Sequence, residues 1–177
     1  MQLIQRYKFP VLMVLIEIFL LWIKPATGVE SIRISADNLK EMLLVLPPIF
    51  VLLGLLDIWV PREVMLKLMG DESGLTGVMI AFTLGSVAAG PLYAAFPIAG
   101  VLLRKGCRFA NIIVFIGAWS TTKIPLLLFE AASMGWKFML VRLLLDVPII
   151  VSIACFIEKI SGPQEKKLIY ENAAKFD

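Results

Sequence analysis

The chain contains no histidine and only two cysteines, Cys107 and Cys155, which lie far apart and lack ligand spacing. A metal site built from the protein's own side chains is therefore not expected, and each cysteine reads as a small apolar packer rather than half of a redox pair. Charge is also sparse. Only 18% of residues are Asp, Glu, Lys or Arg, and the net charge of +3 comes from loops and tail rather than from one basic face. Nucleic acid is thus not an expected partner. No nucleophile has a neighbouring base, and neither a phosphate-cradling loop nor a cofactor box occurs. The sequence predicts no enzyme and no cofactor.

What fills the space is apolar: 59% of the 177 residues are hydrophobic, with a mean hydropathy of +0.88. Ordinary soluble domains hold roughly 45–50%, and a core of this size cannot bury the excess, so lipid must solvate much of it. Apolar stretches run over residues 9–23, 42–60, 75–103, 109–129 and 138–157. These predict an all-α, polytopic protein of the cell membrane, with a transmembrane domain over 1–160 and a polar C-terminal tail over 161–177. The first stretch resembles a signal sequence, with Arg6 and Lys8 before it, but Glu17 in its middle argues against cleavage. It reads as a retained first helix. Residues 24–41 read as a mixed-charge loop with a short surface helix capped by Ser35 or Asp37. Pro47 and Pro48 should kink the second span.

The third stretch is too long for one crossing. Its 29 residues would reach about 44 Å as a straight helix, against a hydrocarbon core of ~30 Å. Either the span is broken and tilted, giving five crossings, or it is a re-entrant hairpin, with "GPLYAAFP" (residues 90–97) as its turn and four full transmembrane helices around it. Five crossings divide the flanking Lys and Arg ten to five; a hairpin divides them eleven to four, with both termini on the basic, cytoplasmic side. The positive-inside rule leans to the hairpin.

The fourth stretch is interrupted by "STTKIP" (residues 120–125), and the fifth carries Arg142, Asp146 and Pro148. Irregular backbone at membrane depth survives only where protein or a water-filled cavity satisfies its N–H and C=O groups. Two breaks in one small chain therefore predict a polar site between them, the way many transporters build theirs.

Lys123 is the sharpest candidate, because an unpaired ammonium in hydrocarbon must find water, a carboxylate or an anion. With the hydroxyls of Ser120, Thr121 and Thr122 it lines a polar site, or else it snorkels to an interface or pairs structurally with Asp146 or Glu130. Arg142 and Asp146 share a helix face at i, i+4; they either neutralise each other or also touch a substrate or a coupling proton. Tyr93, alone at the hairpin tip, either binds a ligand or satisfies a freed carbonyl. Asp57 reads as an interfacial partner of Arg62. The small residues Ala81, Gly85, Ser86, Ala89 and Gly90 suit close helix approach.

The run from "GPLYAAFP" through "LLRKG" to "STTKIP" and the following acidic residue resembles the predicted permease family of YraQ-like and ArsP-like proteins, which includes organoarsenical efflux permeases. The likeness covers residues 40–158. Its members are commonly twice this length with two related halves, so the resemblance implies a half-size member that rebuilds a pore as a homodimer. It points to Pro91, Pro97, Gly100, Thr122, Lys123 and Pro125 as site residues. Where many relatives carry a Cys-Ser-Cys-like cluster, Tyr93, Ala94 and Ala95 stand here, so thiol capture of a metalloid is impossible at that spot. The biased Lys/Arg tallies favour a parallel dimer with its axis along the membrane normal.

Together these readings predict a homodimeric permease or transporter that moves a small polar or anionic solute through a site near Lys123. A channel or passive pore, and a non-transporting membrane scaffold, are the competing readings.

Overall fold

A computed structural model describes residues 2–88 and 90–174; the side chains of residues 2–7, 46, 52, 53, 56 and 57 lie outside that description. Ala89, Lys175 and the side chains of Arg6 and Asp57, all used in the sequence reading, are among what is not described. The described chain is all-helical, in two compact units, residues 1–48 and 49–177.

The first unit holds α1 (Gln2–Ile23) and the start of α2 (Pro25–Trp59). The loop expected over 24–41 is helical instead. Pro25 occupies the first helical position, where no N–H partner is needed, and beyond Gly28 the segment holds no glycine or proline until Pro47. Its charges mark a polar face rather than a loop. The Ser31 hydroxyl donates to the Glu17 carboxylate at 2.5 Å, so Glu17 finds its partner on α2. Pro47 and Pro48 sit inside α2 without ending it.

In the second unit, α3 (Arg62–Met69) follows Pro61, with Glu63 in its first turn and Lys67 in its last, matching the helix dipole. Next come α4 (Gly74–Val87), a 3₁₀ turn over Leu92–Ala94, and α5 (Ala95–Arg104). The turn is shorter than "GPLYAAFP". Pro97 lies in the first turn of α5, where its missing donor costs nothing. The end of α5 is closed by Gly106 at φ 82°, with Cys107 N–H donating to Leu102 C=O and Gly106 N–H to Leu103 C=O. A left-handed glycine at this position is the usual way to pair the last helical carbonyls.

The chain then forms α6 (Phe109–Thr121), α7 (Ile124–Met134), α8 (Trp136–Ile160) and α9 (Pro163–Ala174). Among the described residues, two segments are long and apolar enough to cross a membrane: Phe109–Met134, which contains the α6–α7 break, and Trp136–Ile160. The core is the α4–α6 pair, with α8 and α5 also against α6, α7 against α8, and α9 against α5. Small residues set these distances. A Cβ on Gly85 would collide with the Phe115 carbonyl and lie 2.8 Å from the Ala118 Cβ, and one on Gly117 would lie 2.9 Å from the Ile150 side chain. Ala81 beside this contact is fully buried.

Candidate functional site

Two helix breaks build the site. At the first, Ala88 leaves α4 in an extended conformation (ψ 140°), Gly90 takes φ 114°, and Pro91 is extended again before the 3₁₀ turn. A positive φ of that size suits glycine, and proline at 91 removes a donor that no helix could have used. At the second, α6 ends at Thr121, Thr122 leaves the helical region (φ −117°), and Lys123 is extended (ψ 136°). Pro125 then restarts α7 at its first turn, so this proline begins a helix rather than breaking one.

Side chains join the two breaks. The Lys123 ammonium donates to the Gly90 carbonyl at 2.8 Å, and the Trp119 indole N–H reaches the same oxygen at 3.3 Å. The hydroxyls of Ser86 and Thr122 are 3.0 Å apart. Lys123 therefore pairs with neither Asp146 nor Glu130. Gly90 carries an orphan carbonyl at the open end of a helix break, and a half-buried ammonium is the strongest donor within reach of it.

The carboxylates are held by Arg142 on α8. Its guanidinium ion-pairs with Glu130 on α7, lies 3.4 Å from Asp146, and donates to the Thr121 carbonyl at 2.7 Å. It thus closes the C-terminus of α6, where the dipole favours a cation. The Arg142–Asp146 pair expected from the i, i+4 spacing is present, but Glu130 is the closer partner. Its second oxygen, Oε2, has no hydrogen bond among the described residues. Lys123 and Arg142 against Glu130 and Asp146 make the junction balanced in formal charge.

All three hydroxyls bond back to their own segment, with Ser120 exposed, Thr121 half-buried and Thr122 buried. Ser120 and Thr121 both donate to the Gly117 carbonyl, and Thr122 donates to Ala118. Such back-bonding satisfies a hydroxyl inside its own helix. Thr122 is fully buried. Tyr93 is half-buried in the 3₁₀ turn, and its hydroxyl makes no hydrogen bond among the described residues.

Two other candidates fall elsewhere. Pro97 and Gly100 line an apolar cavity of about 860 Å³ between α5, α6, α9 and the end of α2. None of Lys123, Arg142 and Asp146 lines it. The residues expected from the sequence therefore divide between a charged junction and an apolar groove.

Several polar anchors carried no signal in the sequence reading. Asn111, 1% exposed, donates its amide to the Met69 carbonyl and to Ser73, tying α6 to the end of α3. Arg108 forms a two-pronged pair with Glu158 at 2.5–3.1 Å. Each of these partners is more than 35 residues away, so local spacing could not reveal them. Tyr170 on α9 donates to the Cys107 carbonyl at 2.7 Å. Burial pushes the Cys107 thiol up to about 11, so it stays protonated and acts as a packer.

No curated protein and no solved structure matches the chain. A family model described as predicted permease matches residues 29–175, which takes in every helix from α3 to α9 and most of α2. With that match and two membrane-length apolar segments, this is a membrane protein, and the chain belongs to the predicted permease family.

Proposed function

We propose that this permease moves a small polar or anionic solute through a path opened where its two helix breaks meet. The observation that carries the reading is the Lys123–Gly90 contact, an ammonium parked on a backbone carbonyl between two interrupted helices. An ammonium has three donors and no acceptor. One is spent on Gly90, and an arriving anion or polar group offers a stronger acceptor than a neutral carbonyl. When the solute takes Lys123, the Gly90 carbonyl keeps the weaker Trp119 bond, and the two breaks can separate. Thr121, Thr122 and Pro91 flank this contact, and Tyr93 offers a hydroxyl from the adjoining turn that makes no hydrogen bond among the described residues. Arg142, Glu130 and Asp146 hold the other side of the break and keep its charge balanced.

In this reading α4 and α5 form a re-entrant hairpin among four full spans. At ~1.5 Å per residue, α4 reaches about 21 Å and α5 about 15 Å, each short of the ~30 Å core. The eleven-to-four division of Lys and Arg then puts both termini in the cytoplasm. A parallel homodimer in the cell membrane supplies two copies of each break to one path.

Flux of a panel of small organic and inorganic anions and neutral polar solutes into proteoliposomes tests the proposal. Wild type should carry at least one solute, and Lys123→Met should abolish that flux while the protein still inserts. Flux unchanged in Lys123→Met removes Lys123 from the site. Unitary conductance steps in a planar bilayer would instead make the protein a channel.

A further inference from the structure

The apolar cavity lies apart from the charged junction and has a direction. One face of α5 lines it from Phe96 to Arg104, about 12 Å of helix at ~1.5 Å per residue. The opposing face of α6 runs the other way, from Phe109 beside the α5 C-terminus to Ile116 further in. Among the described side chains its lining is apolar except for Arg104, the last residue of α5, and Asn172 on α9. A largely apolar groove with a guanidinium at the end of one wall matches an amphiphile that enters tail first.

Two glycines keep the groove open. Gly54 and Gly100 both line it, neither has a positive φ, and a Cβ on either would meet nothing within 4 Å. Glycine within a helix weakens it relative to alanine. At Gly77, Gly85 and Gly117 close neighbours within the chain account for the missing side chain. At Gly54 and Gly100 no described atom does, so the groove has open space beside both.

We infer that this groove binds an anionic phospholipid of the bilayer, with an acyl chain along α5 and α6 and the phosphate at Arg104 and Asn172. Arg104 also has a partner within the chain. A guanidinium carries five donors in a fork that fits phosphate, so it serves both. Anionic lipid is the chemistry expected on the face richer in Lys and Arg, where basic pockets between helices take headgroups. The volume of about 860 Å³ is in the range of ligand sites, roughly 300–1,000 Å³.

Native mass spectrometry of the full chain in detergent, titrated with phosphatidylglycerol or phosphatidylcholine, tests the site. Wild type should retain phosphatidylglycerol in preference to phosphatidylcholine. Gly100→Phe should lose both, because the ring fills the groove, and Arg104→Gln should keep residual binding but lose the preference. Gly54→Leu fills the groove from the α2 side and serves if Gly100→Phe does not fold. Equal retention of the two lipids by wild type, or lipid binding unchanged in the filled variants, overturns the proposal. So does a filled variant that turns a dimer into a monomer with its lipid count intact, which would make the groove a self-association surface.

Discussion

The two helix breaks solve one problem in opposite ways. The first, at residues 88–91, contains no charged side chain and offers only backbone: Gly90 turns at φ 114°, Pro91 withholds a donor, and an acceptor is left over. The second, at Thr122 and Lys123, brings side chains of its own and is braced by a guanidinium from α8. Acceptor meets donor at the Lys123–Gly90 bond. In a low-dielectric setting each break would be costly alone, because freed backbone groups and an isolated ammonium both need partners. Each supplies what the other lacks.

If that asymmetry is right, the charged break should be far more sensitive to substitution than the backbone break. Arg142→Leu removes one guanidinium that serves Glu130, Asp146 and the Thr121 carbonyl at once. Leaving partly buried carboxylates without their cation should cost about 3 kcal/mol, read as a lower midpoint in thermal unfolding in detergent. Adding Glu130→Gln to Arg142→Leu should recover part of the loss. A double variant as unstable as the two single losses combined would mean that the residues do not act as one cluster.

Lys123→Met comes next. It removes the charged donor from Gly90 but leaves Trp119 on the same oxygen, so the loss should be about 2 kcal/mol, in the range for a hydrogen bond to a charged group. Trp119→Phe, which removes the weaker neutral donor at 3.3 Å, should cost less. The reverse order would put the indole, not the ammonium, in charge of the junction.

How far the sequence reveals this arrangement depends on distance along the chain. Both breaks are legible because Gly90, Pro91 and Pro125 act locally, through φ and the missing donor. The i, i+4 relation of Arg142 and Asp146 is legible for the same reason. Lys123 is recognisable as a residue in need of a partner, yet its partner is a backbone carbonyl 33 residues earlier, and a carbonyl has no letter in the sequence. The family resemblance groups Pro97 and Gly100 with the other site residues, but the helix turns them toward the groove. The helical start of α2 was hidden by its charges, since a polar, mixed-charge segment without internal glycine or proline suits a solvated helix face as well as a loop.

A smaller effect measures the neutral half of the junction. Thr122→Val removes the hydroxyl that faces Ser86 at 3.0 Å and should cost about 1 kcal/mol, part of it from leaving Ser86 buried without that partner. Ser86→Ala combined with Thr122→Val removes both groups and should be closer to wild type than the sum of the single variants. Strict additivity would show that the two hydroxyls do not bond, and the link between the breaks would then rest on Lys123 and Trp119.

The smallest effect lies away from both breaks and serves as their control. Tyr170 anchors α9 to the turn after α5 through the Cys107 carbonyl, and burial, with nearby Asp71 adding to it, raises its phenol from 10.0 to about 12. The docked state therefore disfavours the phenolate. Its contribution is fully present below pH 10.0 and is lost as pH rises toward about 12. The Cys107 thiol, raised to about 11, titrates in the same window with the same sign, so the comparison belongs in a Cys107→Ala background. There, alkaline titration should make α9 progressively accessible to protease, and Tyr170→Phe should abolish that alkaline step. At neutral pH Tyr170→Phe should weaken docking by no more than about 1 kcal/mol. Because α9 packs on α5 and the breaks are joined through α4, α6 and α8, the Lys123-dependent flux should be unchanged. A flux that fell with α9 docking would show that the groove side of α5 and the charged side of α6 move together.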